Sequence, residues 1–412
     1  MTYLKMLKLR KYFLLFLVFS LSACSESMDK LHGMPQSENM PRSPINTEAL
    51  AVKSLLSYDI YVEGEILHAV FVAKSANPKH PYIAYLRSEN SGQHWSAPVE
   101  IDQYIPTTLE SAAGNDVQIA AHGDDLMAVW QVTGEIPGMG PLISLYSKDG
   151  GLNWSQGSNP TASDVDQSHP DLLADEQGRF HLIWLDDRDE NGYQGLRYAV
   201  SSDAGQHWEW TQTIDDSSCS CCWNRLLLGP DGEINALYRD MEPRDMALAQ
   251  SSNTGKNWQR ISTVGEFNWQ FDGCPHNGGA LAKDGQQALH SLVWTGADNK
   301  AGLYYLQSND NAKSWTPPQK MGDGSLAFHS DIAALGDERL LAIWDARGAE
   351  GSVVMISESF DKGEHWSAAK QISTPASSAT FPRVVATKTG FLAMWTEQKP
   401  GADKLWLSAI LK

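Results

Sequence analysis

The chain has 412 residues, 42% of them apolar, with 50 acidic side chains against 32 basic ones. A formal charge of −18 with no basic stripe argues against nucleic acid as a partner. An acidic surface suits a body that works outside the cytoplasm and attracts cations.

The first 24 residues, MTYLKMLKLRKYFLLFLVFSLSAC, place Lys5, Lys8, Arg10 and Lys11 ahead of an apolar run from Phe13 to Leu21. That is the layout of a secretory signal, and the run is too short for an ordinary spanning helix. Its end, LSAC, resembles the lipobox of bacterial lipoproteins. The resemblance implies cleavage after residue 23 and lipidation of Cys24. With Ser25 following, it also implies anchorage to the outer membrane. Removing those four basic residues leaves 28 against 50 acidic ones, a formal charge of −22. Residues 24–50 are polar, proline-bearing and aperiodic, and are expected to form a flexible tether, with the folded body spanning 51–412.

Six octapeptides then share the pattern S-x-[DN]-x-[GA]-x-x-W: SENSGQHW at 88, SKDGGLNW at 147, SSDAGQHW at 201, SSNTGKNW at 251, SNDNAKSW at 308 and SFDKGEHW at 359. Each follows a β-prone run and precedes a shorter one, so each predicts a hairpin turn. The Asp or Asn can bond its own downstream backbone, the Gly can take positive φ, and the Trp can fill the space beneath. A period of 50–59 residues marks a repeat architecture. These octapeptides resemble the Asp-boxes of sialidase-like (BNR-repeat) β-propellers, and the resemblance runs from about residue 55 to the end of the chain.

An aromatic-centred strand precedes each box, with Phe71, Trp130, Trp184, Tyr238, Trp294 and Trp344 at its middle, and a seventh, LAMWTE with Trp395, follows the last box. The expected fold is therefore all-β: a propeller of four-stranded blades, seven of them, with six as the alternative. The seventh unit lacks a fourth strand, and EALAVKS near residue 50 is a spare β-prone run. The expected ring is closed by that N-terminal strand, which hides the sheet edges.

Resemblance to sialidases also implies three carboxylate-binding arginines, a tyrosine nucleophile and an aspartate acid/base, and these are poorly matched. The arginine motif has only PRSPIN around Arg42, expected to lie in the tether. The loop AKSANPKHPY after the second strand of blade one has no carboxylate, and no tyrosine follows Tyr305. Arginines recur after second strands at Arg188, Arg239 and Arg347.

Innermost strands of a propeller line its channel, and fifteen residues before the second-strand aromatics stand His169, Trp223 and His329. These three, with Arg188 and Arg239, are the candidate channel-mouth binding residues. Cys219, Cys221 and Cys222 immediately precede Trp223, while Cys274 and His276 open blade five next door. All five are expected to converge on one ion. Two explanations compete. Four thiols in an exported protein permit disulfides. Thiolates with imidazole suit a soft or borderline ion, copper or zinc, and three thiols in four positions favour the metal.

The expected function is binding at the channel mouth through this Cys/His site, with a small ligand, glycan or metal as partner. One alternative is a divergent exo-glycosidase using channel residues such as Asp171, Arg188, Arg239, Asp240 and Asp331. Another is a scaffold that docks a protein.

Overall fold

The computed structural model describes residues 42–44, 52–75, 81–103, 105, 109–134, 140–160, 166–186, 194–209, 211–229, 231–322 and 326–412. Seven four-stranded antiparallel sheets account for its strands. The blades run in chain order. Blade one begins with innermost strand Val52–Glu63 and blade two with Gln118–His122. Blades three to seven begin with Gln167–Ala174, Arg225–Leu228, Ala280–Lys283, Ala327–Leu335 and Ser378–Thr387.

Closure differs from the sequence expectation in one respect. The strand completing blade seven is Arg42–Pro44, paired antiparallel with Lys404–Leu411 through Arg42↔Ala409, Ser43↔Ser408 and Pro44↔Leu407. It falls inside the expected tether. The β-prone run near residue 50 feeds blade one instead: from Val52 onward it pairs with Ile66–Ser75. A three-residue strand carrying a proline has no propensity signal. Its pairing is imposed by the open edge of Lys404–Leu411, an edge where proline is tolerated. Cys24 and the signal lie outside the described residues.

Six of the seven second strands supply a buried aromatic, and Trp294 of blade five is partly buried. Phe71, Trp130, Trp184 and Trp395 are wholly enclosed, and Tyr238 and Trp344 are nearly so, in cores shared between adjacent blades. Burying each such ring is worth roughly 1.5–3 kcal/mol.

The octapeptides form turns between third and fourth strands. In blade two, Ser147 Oγ donates to Asp149 Oδ1 at 2.9 Å, Gly151 N donates to Ser147 Oγ at 2.9 Å, and Asn153 N donates to Asp149 Oδ1 at 2.8 Å. The box histidines His207 and His365 are exposed, as expected of outer turns.

The second-strand histidines have a different use. His68, His181 and His290 are buried, each with Nδ1 within 2.8 Å of a tyrosine hydroxyl: Tyr85, Tyr198 and Tyr305 respectively. Those tyrosines reach beneath the Asp-box of the next blade. Tyr198 OH lies 3.3 Å from the Thr254 carbonyl oxygen, and its ring occupies the space that a Cβ on Gly255 would need. Gly255, at φ +79°, is thus required twice over.

Candidate metal centre at the channel mouth

Three innermost strands break register at matching places: between Ser168 and Asp171, Phe328 and Asp331, and Thr380 and Arg383. At each break one residue takes left-handed backbone: His169 (φ 51°), His329 (φ 40°) and Phe381 (φ 51°). Such conformations cost energy in a non-glycine residue and concentrate where side chains are held for a purpose.

Below the mouth the channel holds four buried carboxylates and two arginines. Arg225 reaches Asp171 at 3.3 Å and Asp331 at 4.0 Å, and Arg383 reaches Asp116 at 3.2 Å. Three carboxylates also brace the ring. Asp59 accepts from Ile119 N, Asp171 from Leu226 N and Asp331 from Val384 N, each bond crossing to the next blade. Burial pushes Asp59 up to about 8 and Asp116 and Asp171 up to about 6.

Asp116 and Arg383 of this group also line a shallow pocket, together with Gly114, Trp223, His329, Ser330, Phe381 and Pro382. His329 stacks on Phe381 at 4.0 Å between centroids, and its Nδ1 lies 2.7 Å from buried Asp345. Trp223 sits 5.6 Å from the His329 ring. Phe381 and Arg383 escaped the sequence reading. Counting fifteen back from Trp395 lands on Thr380, beside Phe381, so the signal was present.

The thiols lie in the turn joining Gln212–Ser218, the outermost strand of blade three, to Arg225–Leu228 of blade four. Cys219 N donates to the Arg239 carbonyl at 2.9 Å, pinning the turn to blade four. Cys219, Cys221 and Cys222 are buried, with Sγ separations of 3.7 Å from Cys219 to Cys221 and 3.1 Å from Cys219 to Cys222. All four described cysteines are free. Hydrogen bonding from Cys221 and Cys222, helped by the positive charge of Arg239, pulls the Cys219 thiol well down. The Cys219 sulfur pushes Cys221 up, and burial pushes Cys222 up to about 12.

Blade five folds over this turn because Gly278 has no Cβ: one there would come within 2.3 Å of the Trp223 carbonyl oxygen. The approach carries Cys274 and His276, both exposed, to Cys221. His276 adopts φ 49°. The amide atoms of buried Asn277 have no hydrogen-bond partner.

The five expected ligands are brought together, though not around one point. Cys219, Cys221 and Cys222 offer ligand atoms within 4.8 Å of one another, and so do Cys221, Cys274 and His276. The two triads share Cys221 alone. Ligands about 2.3 Å from one ion lie within about 4.6 Å of each other, so this grouping departs from the expected single centre.

The binding candidates divide. His169 is half-buried beside Cys219 and His276, and burial holds it down to about 4. Trp223 and His329 line the pocket. Arg239 does not open to the mouth. It is buried, and donates to the carbonyls of Asn277 at 2.9 Å, Arg244 at 2.6 Å and Trp294 at 2.8 Å, so it serves as a brace beneath the thiols. Arg188 lies outside the described residues.

Comparison with known proteins bears on the fold. No curated protein matches the chain. Among solved structures, an ulvan lyase of a polysaccharide lyase family is similar at 12% identity and TM-score 0.60, over 90% of this chain and 96% of that one. A solved form of this lyase bound to -[GlcA(1-4)Rha3S]- is similar at 12% identity and TM-score 0.59. A protein of unknown function from Dyadobacter fermentans is similar at 14% identity and TM-score 0.51, over 92% of this chain and 98% of that one. At such identities the likeness is one of fold. Residues 60–272, just over half of the chain, match the model of the BNR repeat-like domain, and with its Asp-box turns and seven blades the protein belongs to that family.

Proposed function

We propose that this protein is an extracytoplasmic, lipid-anchored propeller that binds a soft metal ion, copper(I), at the mouth of its channel. The observation that carries the reading is the buried triad of Cys219, Cys221 and Cys222, three sulfurs within 4.8 Å of one another. Three thiols without a fourth protein ligand in the same group suit a soft, low-coordinate ion better than zinc, whose structural sites take four. Arg239 offsets part of the thiolate charge from below.

The test is copper(I) loading of the full chain under anaerobic conditions, with free thiols counted before and after. Stoichiometric copper with thiols protected supports the reading. A Cys219–Cys222 disulfide in freshly isolated protein, with no metal bound, overturns it. Anchorage is tested separately: Cys24→Ser should release the protein from the membrane fraction, and unchanged fractionation rejects the lipid.

A second reading, glycan binding, is favoured by the aromatic floor of Trp223, His329 and Phe381 beside Arg383. An ulvan lyase of similar fold is described with an oligosaccharide bound. Quenching of tryptophan fluorescence by acidic oligosaccharides, lost in Trp223→Ala, would support it. No quenching with any of them would reject it.

A further inference from the structure

Five ligand atoms that divide into two triads call for more than one ion. The inner triad, Cys219, Cys221 and Cys222, is buried throughout, while the outer triad of Cys221, Cys274 and His276 has two exposed members. Among the described residues no group of four ligand atoms satisfies the 4.8 Å limit, so as these side chains are placed one ion does not take all five. Cys221 belongs to both groups, and a thiolate has lone pairs enough to bridge two ions.

Resting on the copper reading above, we infer that Cys221, Cys274 and His276 form a second, exchangeable copper(I) site, bridged through the Cys221 sulfur to the buried one. It is the position through which copper enters and leaves.

Three features support the assignment. The outer ligands lie on a different blade from the inner ones, and the loop bearing them reaches Cys221 only because Gly278 admits Trp223. His276 sits at φ 49°, the left-handed backbone that His169 and His329 also adopt at this mouth. The chemistry is graded as well: three sulfurs inside, two sulfurs and an imidazole outside. The inner site therefore binds a soft ion more tightly, and an incoming ion gains by moving inward. Transfer is ligand exchange across Cys221, with the ion remaining copper(I) throughout. The partner is a copper(I) donor or acceptor small enough, or prominent enough, to reach Cys274 and His276 at the surface.

The experiment is an anaerobic titration of the full, detergent-solubilised chain with copper(I), competed by bathocuproine disulfonate. The expected result is two equivalents, one removed by the chelator much sooner than the other. In Cys274→Ser/His276→Ala the easily removed equivalent disappears and the second remains but loads more slowly. Both substituted side chains are exposed, so near-ultraviolet circular dichroism should be unchanged. One equivalent in the wild-type chain, unaffected by the double substitution, overturns the outer site and leaves the inner one standing. One equivalent lost in the double variant overturns the division into two sites. No copper at all rejects both this inference and the function on which it rests.

Discussion

The Asp-box rim and the channel mouth are both built from turns, yet they solve opposite problems. A box closes on itself: within eight residues its serine, aspartate and glycine satisfy one another, and its tryptophan packs back into the blade. The mouth joins residues from blades two to seven, and its left-handed residues His169, His329 and Phe381 stand inside innermost strands rather than in a closed turn. The boxes complete their backbone bonding within eight residues, although the indole nitrogens of Trp95, Trp258 and Trp366 are buried without a partner, as are Ser330 Oγ and the Asn277 side-chain amide at the mouth. The mouth instead takes its bonds across blades, from His169 N to Asn115 and from Asn224 to the His169 carbonyl.

The largest effect should come from the one atom common to both triads. Cys221→Ser is expected to abolish copper binding altogether while leaving the melting temperature of the copper-free protein unchanged, because the blade cores do not include it. Retention of copper after this substitution would break the contrast, since the mouth would then hold metal without its shared ligand. Next comes the rim. Gly255→Ala should destabilise by about 2–3 kcal/mol in urea, from strained φ and displacement of the Tyr198 ring. Gly232→Ala, at φ +80° with nothing near its Cβ, should cost only about 1 kcal/mol. Equal losses would show that the tyrosine beneath the box is not what demands glycine. Ser147→Ala should cost about 1 kcal/mol, the loss of the turn's paired hydrogen bonds.

A smaller, pH-dependent effect belongs to the channel wall. Burial raises Asp59 to about 8 in the folded chain, well above its unfolded value, so the folded state holds the proton more firmly. The resulting stabilisation is present below the unfolded value of about 4 and is lost as pH rises through about 8. Asp59→Asn should therefore flatten the fall in stability between pH 5 and 8. An unchanged slope would remove Asp59 from the account.

The rim was fully legible in the sequence because its chemistry is local. Six octapeptides and seven aromatic strands specify seven blades, since each unit carries its own signal. The mouth was legible only in part. Counting back from the aromatic strands located His169, Trp223 and His329, and adjacency of blades brought Cys274 and His276 to Cys221. What the count cannot convey is distance in the third dimension: that the ligands form two groups, and that Arg239 spends its donors on three carbonyls. The closing strand was misplaced for a related reason. Arg42–Pro44 has no β-character of its own, and only the vacant edge beside Leu407–Ala409 makes it a strand.

That strand sets the order in which the molecule is able to fold. Blades one to six are each assembled from consecutive sequence, so they can form one after another as the chain is made. Blade seven needs Arg42–Pro44, which precedes blade one, and Lys404–Leu411, which follows the other six blades. Until the final strand arrives, the ring stands open, with the edge of Gly390–Gln398 that Lys404–Leu411 will cover available to any other β-edge nearby. Closing so long a loop is slow. The cell must therefore shelter a nearly finished propeller for the time its closing strand takes to arrive.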